Sequence, residues 1–429
     1  MRGMGKGISG VLATVMVLVL AACGSSGDNA PATGGETAEE TKDTKLRIVW
    51  WGSQARHDAT NKVLEIYTEA HPHITFEPDF SGFDSYWDKL ATQSAARNAP
   101  DIIQMDAQYF NEYAGRNQLA DLSSGINVDA LDENLLAAGR YEDKLYAIPI
   151  GSNPFGIVYN QLAIEKMGLT VPEEWTWDEM FQLARDIQPK LEQGKYALRD
   201  FTVDGEVYEM FQLSKGKGPL AQDGELNLDA GVWQEWVGLF DELRQEGVVP
   251  PAEISVAEKK YDPQQDLLLN GTVLIKQSYA SDFPAWESVQ PGAFALAKAP
   301  RSEQAGGYVK PSMYWSVSAH SAHIEEAKQF IDYFINNEEA ADVLGVIRGI
   351  PVSSDILTYL EPKLTEADKA QLGLINVTRP DANPFTVGPK GFGSFIVDFN
   401  KVGAELVFGR ISAEQAYTDI ERYWEADIK

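Results

Sequence analysis

Between residues 46 and 105, strand-like and helix-like segments alternate at short spacing, and this restricts the fold more than any other feature of the chain. Leu46, Arg47, Ile48, Val49 and Trp50 make a run suited to a strand. Across 58–70 the apolar residues Val63, Leu64, Ile66, Tyr67 and Ala70 recur at helical spacing, and Pro72, which cannot continue a helix, closes the segment. Ile74 and Phe76 alternate as on a strand, a helical stretch covers 86–96, and 101–105 reads as a further strand. Strand–helix–strand units connect through right-handed crossovers, so the prediction is an α/β domain on a largely parallel sheet. At 429 residues the chain exceeds one ordinary core and suits two domains.

Further along, Pro149 and Gly151 interrupt an apolar run, and a new one begins with Phe155-Gly156-Ile157-Val158-Tyr159-Asn160. Thr176 and Glu179 have the spacing of a capping box, ahead of a helical face made by Met180, Phe181, Leu183, Ala184 and Ile187. Asn270-Gly271 leads into a short strand over 272–276, then a loop carrying Tyr279, Asp282, Phe283 and Trp286. The character changes again at 308–318; an amphipathic helix covers 324–335, and the chain is mostly helical from about Ser354.

The N-terminus reads as a processing signal. Arg2 and Lys6 precede an apolar run over 8–20, too short to span a bilayer, which needs about 20 residues. Leu20-Ala21-Ala22-Cys23 then resembles a lipobox, in which the single cysteine takes a diacylglyceryl group and becomes the new N-terminus. The alternative is an ordinary secretory signal with an incidental cysteine. Residues 1–22 are thus expected to be a signal peptide. Residues 23–45, rich in Gly, Ser, Thr, Pro and acids, are expected to be a flexible acidic tether. This places the protein on the extracytoplasmic face of a cell membrane, held by lipid. The length of the leash favours the outer face of a single-membrane bacterium. A net charge of −28 excludes nucleic acid as a partner. With one cysteine there is no intramolecular disulfide, and stability rests on packing.

The order of several blocks carries a resemblance. Trp-Gly after the first strand, Ala99-Pro100-Asp101-Ile102-Ile103, Ala147-Ile148-Pro149 leading to Val158-Tyr159-Asn160, Trp175-Thr176-Trp177-Asp178-Glu179, Asn270-Gly271-Thr272 and Arg348-Gly349-Ile350-Pro351-Val352-Ser353 resemble extracellular solute-binding proteins of family 1. These are carbohydrate receptors of ABC importers, the group that includes maltose-binding protein. The resemblance implies a two-lobed, type II periplasmic-binding-protein-like α/β fold with mostly parallel sheets and a three-crossing hinge. It implies crossings near 148–153, 311–315 and 349–353. The N-terminal lobe would hold 46–150 and 314–350, the C-terminal lobe 151–313 and 351–429. It also implies a monomer without cofactor or metal that hands an oligosaccharide to permease subunits. The block 310–315 is similar to receptors for plant cell-wall oligosaccharides.

A pyranose has an apolar C–H face and an equator of hydroxyls, so recognition uses flat aromatics and planar polar groups. Ligands in open α/β sheets sit beyond the carboxyl ends of strands. Ligand candidates are therefore aromatic or polar residues after strands or at crossings. Trp51 follows the first strand, whereas Trp50 is assigned to the core. Asp106, alternatively a helix N-cap, follows the third strand near Tyr109 and Gln108. Asn153 lies at the first crossing; Tyr279, Asp282 and Trp286 share a loop; Lys310, Tyr314 and Trp315 lie at the second crossing. Arg348 lies at the third, where an inter-lobe salt bridge is an equal account. Trp175 and Trp177 are expected to pack a helix start. Lys276, Lys310 and Arg348 could pair with a uronate carboxylate, or serve packing and solubility.

Other chemistry has little support. His71-x-His73 and His320-x-x-His323 lack cysteine partners, and Ser214-Lys215-Gly216-Lys217-Gly218-Pro219 lacks phosphate-loop spacing. Among 64 acidic residues, pairs arise by chance, so a surface-anchored polysaccharide-cleaving enzyme stays open, as does a receptor for a non-sugar solute.

Overall fold

The computed structural model describes residues 43–222, 224–258 and 264–428; Cys23, the signal and nearly all of the tether lie outside the described residues. In chain order the elements used below are β1 (Thr44–Trp51), α1 (Gln54–Ala70), β2 (Ile74–Ser81), α2 (Phe83–Ala95), β3 (Ile102–Met105), α3 (Ala107–Gly115), β4 (Ile148–Pro149) and β5 (Ser152–Asn160). They continue with α4 (Trp177–Ile187), β6 (Tyr196–Leu198), α5 (Gly205–Ser214), β7 (Val273–Tyr279), α6 (Phe283–Val289), β8 (Phe294–Ala297), β9 (Val309–Pro311) and β10 (Tyr314–Val317). The last are α7 (Ile324–Asn336), α8 (Glu338–Leu344), α9 (Ser354–Leu360), α10 (Glu366–Thr378) and α11 (Phe392–Val407).

Local signals start and stop these elements. Ser53 caps α1 by accepting the Arg56 N–H, so the helix begins four residues before the apolar periodicity does. In α4 the capping box forms in full: Thr176 Oγ1 accepts the Glu179 N–H at 3.1 Å, and Glu179 accepts the Thr176 N–H at 2.8 Å.

Two five-stranded sheets result. The first has the order β2-β1-β3-β10-β4, with β1 parallel to both β2 and β3. The second has the order β8-β5-β7-β6, with β9 pairing β5. Both sheets are mixed rather than chiefly parallel. Strands that carry the chain between lobes must return beside strands already laid down, so β10 runs antiparallel to β3, and β5 antiparallel to β7, β8 and β9. Each sheet has its own core, with Trp50, Tyr314, Trp315 and Phe330 in the first lobe and Trp177, Trp236, Phe399 and Trp424 in the second.

Three segments cross between the lobes and lie side by side. Ser312 N–H donates to the Gly151 carbonyl at 2.8 Å, Ser152 N–H to the Ile350 carbonyl at 2.7 Å, and Ser312 Oγ to the Arg348 carbonyl. A Cβ on Gly151 would stand 2.1 Å from that same Arg348 oxygen, so only glycine allows the approach. Beyond the third crossing, α9 stays on the first lobe, packing Ile356 and Leu360 against Ala341 of α8. The chain joins the second lobe at α10, where Leu374 lies under Gly156 of β5. This is the two-lobed α/β architecture.

Candidate functional site

The strand order 2-1-3 in the first sheet leaves a switch point between the carboxyl ends of β1 and β3, where such sheets bind ligands. Met105, the end of β3, pairs with Tyr314, the first residue after the second crossing, so the loops following β1 and β3 open toward the second lobe. On that lobe Tyr279, the end of β7, pairs with Phe155 near the start of β5, beside the first crossing. The ligand-facing edges therefore meet.

Between them lies a cavity to which the first lobe contributes Ala107 and Gln108. The second lobe contributes Glu206 and Glu209 from α5, Tyr279, Tyr308 and Lys310, with Phe385 and Phe392 behind. Asn111 Nδ2 donates to the Gly388 carbonyl at 2.8 Å, and Gln108 lies against Gly393, so α3 touches the start of α11 across the gap. The remaining space is about 50 Å³, room for a few waters and too little for a pyranose.

Tyr279 Oη donates to Glu206 Oε1 at 2.8 Å and lies 3.2 Å from Tyr308 Oη. Lys310 Nζ sits 4.4 Å over the Tyr279 ring. Burial, with Glu206 close by, pushes both phenols well above their usual range. Burial also raises the Glu209 carboxyl to about 7, opposed by the Leu220 N–H it accepts at 2.9 Å and assisted by the charge of Glu206. Near neutrality Glu209 can thus either donate or accept.

A larger open groove of about 600 Å³ lies on the second lobe between β8 and α10. Its lining comes from that lobe alone, including Tyr159, Phe294 and Leu374, so closure cannot act on it. Among the described residues, no group of three or more His, Cys, Asp or Glu could hold a metal, and no helix is long and apolar enough to cross a membrane.

Of the residues singled out from sequence, Tyr279 and Lys310 line the cavity. Asp106 caps α3, its Oδ1 accepting the Gln108 N–H at 2.9 Å, and Tyr109 stacks on Trp87 at 3.9 Å. Asn153 spends its amide on Ser281, donating at 2.8 Å and accepting at 3.0 Å, which ties β5 to the turn after Tyr279. Asp282 precedes α6 and is not part of the lining.

Five of the residues expected to contact ligand lie in the cores and not on the cavity lining. Trp51 is 7 % exposed and packs among Phe83, Tyr86 and Trp87. Trp286 is fully buried with Phe283, Leu268 and Val273. Tyr314 is fully buried, donating to the Ala138 carbonyl at 3.2 Å, and Trp315 packs edge-on to Phe334. Arg348, 3 % exposed, donates to Gln104 Oε1 and to Thr60 Oγ1, the latter at 2.7 Å. An aromatic of this size buries about 150–250 Å², worth roughly 4–6 kcal/mol of transfer free energy as an upper bound. Core packing therefore claims them. Glu206, Glu209, Tyr308, Phe385 and Phe392 were not anticipated. Only Tyr308 lay at the edge of a block already marked; the others carry no local signal.

Residues 62–371 match the family of bacterial extracellular solute-binding proteins. The chain belongs to that family. Over 193 residues it is 27 % identical to the multiple sugar-binding protein of Streptococcus mutans, covering 43 % of this chain and 41 % of that one. The match thus spans about two fifths of that relative's length. Among solved structures, a family 1 extracellular solute-binding protein from Alicyclobacillus acidocaldarius superposes with a TM-score of 0.74 at 26 % identity, over 90 % of this chain and 99 % of that one. An oligogalacturonide-binding protein of Yersinia enterocolitica, bound to saturated digalacturonic acid, superposes with a TM-score of 0.78 at 21 % identity, over 90 % and 100 %. At that identity the likeness speaks to the fold.

Proposed function

We propose that this protein is the lipid-anchored, extracytoplasmic binding component of an ABC importer, capturing an oligosaccharide between its lobes and delivering it to permease subunits. The observation that carries the reading is the cavity with lining from both lobes, too small for a sugar unless they part. A ligand touching both lobes favours the closed state by its differential affinity, and closure is what a transporter can sense. Phe385, Phe392 and the two tyrosines offer apolar faces for C–H groups; Glu206, Glu209, Gln108 and Lys310 offer partners for hydroxyls. A dissociation constant of about 1 μM corresponds to roughly −8 kcal/mol. With association at about 10⁶ M⁻¹s⁻¹, release occurs near 1 s⁻¹, compatible with transport.

Cleavage of polysaccharide is disfavoured by the carboxylates themselves. A glycosidase pair flanks the scissile bond, whereas Glu206 and Glu209 stand one turn apart on the same helix and approach from one side. The test is thermal shift against a panel of oligosaccharides, run beside an assay for new reducing ends. Stabilisation without release supports a receptor, and release of reducing ends refutes it. Separately, Cys23→Ala should move the protein from the membrane fraction to the medium with its melting temperature unchanged; retention after a salt wash would rule out the lipid anchor.

A further inference from the structure

Among the described residues, the cations are distributed so that few reach the cleft lining. Lys276 is spent in the second lobe, its Nζ held by Glu258 and, at 3.3 Å, by Asp266. Arg348 lies in the first-lobe core against Gln104, Thr60 and Met313. Lys390, close in sequence to Gly388, is exposed and absent from the lining. That leaves Lys310, among the described residues, as the cation on the cavity lining, with its ammonium over the Tyr279 ring. Opposed to it are two carboxyl groups, Glu206 and Glu209.

We infer that the cleft is built for an uncharged sugar, whose hydroxyls donate to Glu206 and Glu209, and that it rejects the corresponding uronate. The inference rests on the sugar-receptor reading and adds the ligand class. A hydroxyl donates to a carboxylate and accepts from an amide, a phenol or an ammonium, so a neutral ring satisfies this lining in full. A uronate carboxylate is only an acceptor. In the closed cavity it would meet Glu206, and Glu209 whenever that group is ionised, with little water to screen them and Lys310 to offset them. Specificity then comes from repulsion as much as from attraction.

The experiment measures binding of matched pairs to the mature protein by calorimetry at neutral pH. Galactobiose is set against digalacturonate, and neutral xylo- and gluco-oligosaccharides against their uronate-bearing forms. In any pair that binds, the neutral member is expected to bind at least tenfold more tightly. Glu206→Gln and Glu209→Gln, checked for folding by melting temperature, should narrow that ratio severalfold. A uronate that binds as well as its neutral counterpart, or a ratio unchanged in both variants, overturns the inference and leaves the receptor reading standing. Failure to bind either member of every pair overturns that reading, and the inference with it.

Discussion

Two buried cations, one in each lobe, are accommodated in opposite ways. Lys276 in the second lobe belongs to an ion network in which Glu258 also binds Arg199, and Arg199 reaches Asp204 at 3.2 Å. Arg348 in the first lobe pairs with no carboxylate among the described residues. Its guanidinium donates to Gln104 and Thr60, lies 5.3 Å from the Trp315 ring and 5.7 Å from that of Phe334, and leaves Nε without a partner. Arg56 nearby adds like charge, so burial first and repulsion second hold Arg348 well below its usual pKa. A guanidinium tolerates this because it is delocalised, weakly hydrated and binds aromatic faces; an ammonium would lose its proton there. The lesson is that charge burial at the hinge end of a lobe follows the head-group chemistry, not the sign alone.

The largest expected effect separates the two sites directly. Lys276→Met should cost about 3–5 kcal/mol in denaturant unfolding, because Glu258 and Asp266 each lose a buried ion-pair partner. A cost below about 1 kcal/mol would mean that the partners that remain, Arg199 for Glu258 among them, compensate the loss. Next is acid sensitivity. Burial would raise the Glu258 carboxyl, but Arg199 and Lys276 outweigh it and hold the group down at about 2. A carboxyl depressed on folding adds stability above its unfolded pKa and loses it as pH falls through the folded value. Roughly 3 kcal/mol should therefore disappear between about pH 4.5 and pH 2, at 1.36 kcal/mol per unit. Glu258→Gln should remove that slope; if the slope persists, other carboxylates are responsible.

Arg348→Met should cost only about 1–2 kcal/mol, since the lost hydrogen bonds are offset by relief of an uncompensated buried charge. A loss as large as that at Lys276 would erase the contrast and point to a countercharge reaching Arg348 in solution. The smallest effect lies at the cleft. Glu209, raised to about 7, binds its proton more tightly when folded. Its contribution is present below the unfolded value and fades as pH rises through about 7. In Glu209→Gln the stability profile between about pH 5 and pH 7 should flatten relative to the parent, and an identical profile would exclude this group.

Much of the scaffold was legible because its causes are local. Pro72 ends the first helix, Thr176 and Glu179 build their capping box from residues three apart, and the apolar spacing of β1 to β3 survives intact. The ordered blocks identified the family. The binding surface was less legible, since its residues come from 107–108, 206–209, 279, 308–310 and 385–396.

Sequence alone therefore determined many of the helices and strands and that two α/β lobes form, because period and capping act over a few residues; it missed α6, where a loop was expected and Phe283–Val289 is helical. Tertiary structure decided which side chain on each segment faces the cleft. Tyr314 and Trp315 are neighbours on one strand pointing to opposite faces, yet both are buried, because that sheet is covered on both sides. Period-two alternation cannot tell core from ligand under such conditions. Nor could it tell that Lys276 would find two carboxylates while Arg348 found none among the described residues, since those pairings depend on how strands and loops pack and not on local period.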